Sequence, residues 1–243
     1  MRALIGGTGL DSLDGLEIVE RRGVTTRWGE PSSELAFGRI GGRDLVFLAR
    51  HGGGHTLPPH RVNYRANIQA LKDVGVTEVV AATAVGGIAA FAGPGALLIP
   101  DQIIDYTWGR AHTFADGADL PLLHVDFTEP YCAELRTQLL EAARHADIAV
   151  HDGGCYGATQ GPRLESAAEV VRLERDGCDL VGMTGMPEAA LAREAGLCYA
   201  GVSVVANWAA GKADGEITMA DIERELATGM VGLRALITRW LAG

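Results

Sequence analysis

Apolar positions recur along the chain in two rhythms. Short apolar runs bounded by glycine, proline or charge predict strands over residues 2–5, 35–40, 44–49, 77–84, 96–99, 149–155, 178–182 and 198–206. A period near 3.6 predicts helices over residues 63–73, 133–146, 166–176, 188–195 and 219–241. Strands alternating with helices predict an α/β fold with much parallel pairing. No repeat, low-complexity tract or linker interrupts the pattern, so one domain is expected over residues 1–243, with an exposed loop over 116–121. Residues 79–100 carry no charge, which is long enough to raise a membrane span. Four glycines and two prolines break that stretch, and it reads as two buried strands around a turn.

Composition narrows the function classes. Of 243 residues, 47% are hydrophobic and 21% charged, as in a folded globular chain, and the formal net charge is −10. That balance argues against a nucleic-acid backbone or an anionic membrane as partner. Cys132, Cys155, Cys178 and Cys198 form no C-x-x-C pair. They are expected to be reduced and mostly buried, in a cytoplasmic protein. The N-terminus enters a strand at once and lacks a signal-peptide layout.

The candidate chemistry falls at strand ends, where ligands sit in open α/β folds. The segment Ala49-Arg-His-Gly-Gly-Gly-His-Thr-Leu-Pro-Pro-His60 places one arginine and three histidines where glycine and proline exclude a helix. A fixed cation beside open backbone N–H groups suits an anion such as phosphate. His51, His55 and His60 lack a helical metal-ligand pattern, and Arg50 would repel a cation, so no metal is expected. Gly6-Gly-Thr-Gly-Leu10 fails the dinucleotide fingerprint, because Ser12 stands at the third glycine. It remains either a plain turn or a donor of N–H and hydroxyl groups to one phosphate. Thr83-Ala84-Val-Gly-Gly87 is an ordinary strand exit or a second such set of donors. Glu165, in Gly161-Pro-Arg-Leu-Glu165, reads alone as a charge at a helix N-terminus. Thr184 caps the next helix or meets an anion there. Asn207, after the last strand, is a turn residue or a fixed amide facing a ligand.

Five segments taken together resemble the purine nucleoside phosphorylase and methylthioadenosine phosphorylase family. They are GGTGL, ARHGGGHTLPPHRVNYRAN, TAVGG, TQGPRLESAAE and GMTGMPEAALARE, running from residue 6 to about 194. The resemblance implies a mixed central sheet wrapped by helices, a homotrimer, and phosphorolysis of a nucleoside without a cofactor. Phosphate is the co-substrate. By the same resemblance Thr8, Arg50, His51, Thr83, Ala84 and Thr184 hold phosphate, and Met183 packs on the ribose. His124 reaches into the neighbouring subunit's site. His55, Leu164, Trp208 and Ala209 complete the expected substrate contacts. Leu164 departs from the family's common phenylalanine.

Glu165 and Asn207 bear on the base. A 6-oxopurine carries an N–H on its six-membered ring that a carboxylate accepts, whereas a 6-aminopurine presents a lone pair there. The family's aminopurine branch has aspartates matching Asn207 and Ala209, and its oxopurine branch has the glutamate and asparagine found here. Both are expected to be catalytic, stabilising the leaving base as charge builds. Met219 and Ile222 match the apolar lining that takes a 5′-methylthio group, where a thioether suits better than a hydroxyl. Methylthioinosine is therefore the expected substrate. The alternatives are a general inosine/guanosine phosphorylase, a methylthioadenosine phosphorylase, and a non-catalytic nucleotide or phosphate binder.

Overall fold

The computed structural model describes residues 1–7, 15–117, 122–213 and 218–243, with the side chains at 219, 221 and 223 outside the description. Its strands are β1 (Arg2–Gly6), β2 (Glu17–Arg22), β3 (Leu35–Ile40), β4 (Arg43–Ala49), β5 (Glu78–Gly87), β6 (Leu97–Ile99), β7 (Gln102–Asp105), β8 (His151–Asp152), β9 (Cys155–Ala158), β10 (Leu180–Gly182) and β11 (Cys198–Trp208). The helices are α1 (Tyr64–Asp73), α2 (Ala133–His145), α3 (Ala167–Arg175), α4 (Gly185–Glu194) and α5 (Met219–Ala242). All these strands join one mixed sheet, the expected α/β architecture.

Every helix lies within three residues of its expected place, and side-chain caps mark the starts of α1 and α3. Asn63 caps α1 by accepting from Ala66 N at 3.2 Å. Ser166 and Glu169 form a reciprocal capping box at α3. The central strands are buried on both faces, so Ala3 and Ile5 of β1 enter one core and Leu4 the other. α1 and α4 cover the first face, α2 and α5 the second. α3 closes a third, smaller cluster with Val170 and Leu173.

The structure corrects the expected elements in three places. The strand over 149–155 is two strands, β8 and β9, because Gly153 and Gly154 sit at φ +96° and +111° and turn the chain. β2 was not expected: it is an edge strand with all six residues exposed, so it has no apolar alternation. β7, four residues long, was also missed. Of the expected loop, residues 118–121 lie outside the described residues, while Asp116 is exposed and pairs with Arg65 at 2.6 Å.

Cys132 and Cys198 are not reduced thiols but a disulfide, formed where the start of α2 meets the start of β11. Their pairing removes half of the compositional ground for a cytoplasmic setting. Cys155 and Cys178 remain free. Among the described residues, no helix is long and apolar enough to cross a membrane.

Candidate active site

The site arises from the way β5 shares its edges. β11 runs parallel along one edge for almost the full length of β5. The other edge is divided. β1 pairs with residues 78–81, and antiparallel β10 pairs with Gly86 and Gly87. Residues 82–85 between them have no strand partner on that edge among the described residues. A cavity of about 440 Å³ opens there, a size suited to a small-molecule ligand. The ends of β1, β4, β5, β10 and β11 all reach it.

Arg50 fills the gap from below. Its Nη1 donates to Ala82 O at 2.8 Å, taking the carbonyl that β1 leaves unpaired. Its Nε and Nη2 donate to the two carboxylate oxygens of Glu188 at 2.7 and 2.8 Å. Tyr199 adds its hydroxyl to Glu188 Oε1 at 2.9 Å. Arg50 and Glu188 are both fully buried. Burial opposes the Arg50 charge, but the paired carboxylate outweighs it and keeps the guanidinium protonated. The expectation of a cation on an open loop is thus corrected. Arg50 borders the cavity as half of a neutral pair, with two of its five N–H groups left over. Gly7 explains the paired glycines of the first turn, since a Cβ there would lie 2.6 Å from Ala82 O and 2.9 Å from Arg50 Nη1.

His51 is held neutral. Its Nδ1 lies 2.8 Å from Leu57 O, so this nitrogen carries the proton and donates. Burial, with Arg50 beside it, pushes its pKa down to about 4. Nε2 is then an acceptor, fit to take a hydrogen bond from a hydroxyl of hydrogen phosphate or of a sugar. His55 adopts φ +56° and sets its ring 4.3 Å from that of His51. Both line the cavity, whereas His60 is exposed in a short helical turn. Among the described residues no three His, Cys, Asp or Glu side chains converge as a metal site requires.

Thr83 and Ala84 line the same cavity, and the Thr83 hydroxyl bonds Ser203 Oγ of β11 at 2.9 Å. Thr184 occupies the N-cap position of α4 yet makes no side-chain cap there. Met186 is non-helical inside that first turn, so the regular helix starts at Pro187. Met183, Leu164, Glu165, Asn207, Ala209 and Ile222 also border the cavity. Asn207 gets there through a bulge: the β11–β5 register shifts between Val205 and Asn207, re-aiming the side chain. Its Nδ2 donates to Trp208 O at 2.6 Å, which leaves the second N–H and Oδ1.

Several expectations resolve differently. Trp208 does not line the cavity. As the strand neighbour of Asn207 it points the other way, and its ring lies against Gly93. His124 is exposed and does not line the cavity of its own chain. Thr8 and the Met219 side chain lie outside the described residues.

Two important residues escaped the sequence reading. Glu188, 138 positions from Arg50, looks like an ordinary acid in a first helical turn. Arg110 is buried and makes six hydrogen bonds, all to neutral groups. It reaches the carbonyls of Gln160 at 2.8 Å, Met183 at 2.8 Å and Met186 at 2.6 Å, tying together the loops that carry Glu165, Met183 and Thr184. A lone arginine in a polar loop gives no sign of this.

The chain is similar in sequence and fold to known proteins. The sequence profile of the phosphorylase superfamily matches residues 2–242. A probable S-methyl-5′-thioinosine phosphorylase of Xanthomonas campestris pv. campestris is 54% identical over 236 residues, covering 97% of this chain and 94% of its own. The 6-oxopurine nucleoside phosphorylase of Pyrococcus furiosus is 44% identical, covering 90% and 84%. Among solved structures, the methylthioadenosine phosphorylase of Schistosoma mansoni in complex with adenine superposes with a TM-score of 0.95 at 34% identity, over 99% of this chain and 90% of that one. The divided edge of β5, the cavity it opens and these likenesses lead to one conclusion: the chain belongs to the phosphorylase superfamily.

Proposed function

We propose that the protein cleaves 6-oxopurine nucleosides by phosphorolysis, with S-methyl-5′-thioinosine as its preferred substrate. The observation that carries this reading is that Glu165 and Asn207 border the same cavity as Arg50, His51 and Thr184. A base reader and an anion cradle thus share one nucleoside-sized space. Phosphate sits among Thr8, Arg50, His51, Thr83, Ala84 and Thr184. One of its oxygens attacks C1′ of the ribose while the bond from C1′ to the base nitrogen breaks. The electron pair leaves with the base, and the products are hypoxanthine and 5-methylthioribose 1-phosphate.

The phosphate carries the charge and needs mainly orientation. A neutralised Arg50 suits that task, since it offers directed N–H groups without the full attraction of a free cation. Met183 packs on the ribose, and Leu164 lies along the base. Glu165 accepts the ring N–H of the oxopurine, and Asn207 donates as negative charge grows on the leaving base. Ile222, at the cavity wall, supports an apolar 5′ pocket, to which the expected methylthio contact of Met219 is assigned by the resemblance alone. The chain acts as one domain within a homotrimer, and His124 enters the neighbouring cavity.

The test measures base release from methylthioinosine, inosine and methylthioadenosine, with and without phosphate. Hypoxanthine should appear only with phosphate, and methylthioinosine should have the highest kcat/KM. Preference for inosine would replace the methylthio reading with that of a general oxopurine phosphorylase. Equal values for methylthioinosine and methylthioadenosine would remove the base reading.

A further inference from the structure

We propose that Thr159 is a specificity-determining residue that aims the Glu165 carboxylate at the purine, a role that rests on the base reading above. The Thr159 hydroxyl donates to Glu165 Oε1 at 2.6 Å. The hydroxyl's one proton goes chiefly to Oε1, with Gly182 O a longer second acceptor at 3.3 Å. Anchoring Oε1 fixes the carboxylate plane and leaves Oε2 with both lone pairs to accept the ring N–H of a 6-oxopurine.

Thr159 is itself held on both sides. Its backbone N–H donates to Gly182 O at 2.8 Å, and its carbonyl accepts from Arg110 Nη2 at 3.3 Å. The hydroxyl therefore acts from a fixed position at the end of β9.

Glu165 needs this hold because it has somewhere else to go. It stands on the wall between the main cavity and a second one of about 170 Å³. Thr159, Arg163 and Arg172 line the second cavity. Arg163 donates to Glu169 at 2.8 and 2.7 Å and is still within electrostatic reach of Glu165. Leu164 on one side of Glu165 is exposed, and Ser166 on the other is committed to capping α3. Thr159 is the one hydrogen-bond partner of the Glu165 side chain among the described residues. Without that hydroxyl the carboxylate is free to turn toward the arginines, and the base loses its acceptor.

The experiment compares kcat/KM for methylthioinosine and methylthioadenosine in native protein, Thr159→Val and Thr159→Ser. Each substitution is then repeated in a Glu165→Ala background. Loss of a hydrogen bond to a charged group predicts that Thr159→Val lowers the oxopurine preference about 10- to 100-fold. Thr159→Ser keeps the donor and should restore most of the preference. In the Glu165→Ala background the valine should change the ratio no further. If the valine chain does not fold, Thr159→Ala removes the same donor with less bulk. A native protein with no oxopurine preference overturns the base reading itself. A native preference that Thr159→Val or Thr159→Ala leaves unmoved, or moves equally without Glu165, overturns the role of Thr159.

Discussion

Arg50 shows how one residue can be legible in sequence and still be misread. Its motif marks it as part of the site, but a motif says nothing of Glu188, which only the fold brings to it. The pairing changes what a substitution should do. Arg50→Ala leaves a buried carboxylate unpaired, so it should cost about 3–5 kcal/mol of stability as well as phosphate binding. Glu188→Ala should cost a similar amount by leaving the cation. The double variant Arg50→Met with Glu188→Leu should recover most of the stability in a urea titration and none of the phosphate-dependent turnover. Recovered turnover would show that Arg50 serves packing alone. His51 makes a separate prediction in acid. An unfolded histidine takes up its proton near pH 6.5, but folded His51 does so only near pH 4. Acid therefore favours unfolding across that window, and stability should fall as pH drops through it. His51→Gln should flatten this part of the pH–stability curve; an unchanged slope would assign it to other groups.

Among the elements, those with strong local signals were readable and those defined by their neighbours were not. α3 announces itself through Ser166 and Glu169, and the apolar run of β5 through burial on both faces. β2 shows no pattern because nothing covers it, and β7 is held by pairing with β9 rather than by its four residues. The bulge before Asn207 is also invisible in sequence, since it depends on the register between β11 and β5. Without that register, Trp208 and Asn207 look equally fit to face a ligand. The α3 capping box can be tested directly. Ser166→Ala should cost about 1 kcal/mol, and by loosening the turn after Glu165 it should raise KM for the nucleoside more than KM for phosphate. Gly182 is less forgiving, because a Cβ there would come within 2.0 Å of the Tyr156 hydroxyl. Gly182→Ala should destabilise by about 1–3 kcal/mol through overpacking, read as a lower thermal midpoint.

Across the whole molecule, the sequence pattern predicted the α/β class and the strand ends that meet at the cavity. It did not predict the shared edge of β5 that creates it. Assembly is the least visible level from one chain. Leu122 and Leu123 are 74% and 53% exposed, directly before His124. Such exposure is expected where a neighbouring subunit will cover the segment. Light scattering should give the mass of three chains, and Leu123→Asp should lower that mass together with activity. A fully active native monomer would end the trimer reading.

Arg110 suggests a different kind of experiment. Its guanidinium is surrounded by carbonyl and other neutral oxygens, much as a cation is surrounded in an ionophore. The side chain can thus be viewed as a bound ion on a tether, and a tether can be cut. Arg110→Ala should leave a hole of guanidinium shape rimmed by the carbonyls of Gln160, Met183 and Met186. Guanidinium ion, added at concentrations too low to denature, should refill that hole and restore part of the lost turnover. Ammonium or sodium, lacking the planar fork of donors, should not. Equal restoration by all three ions would mean that charge, rather than shape, is what the loops require.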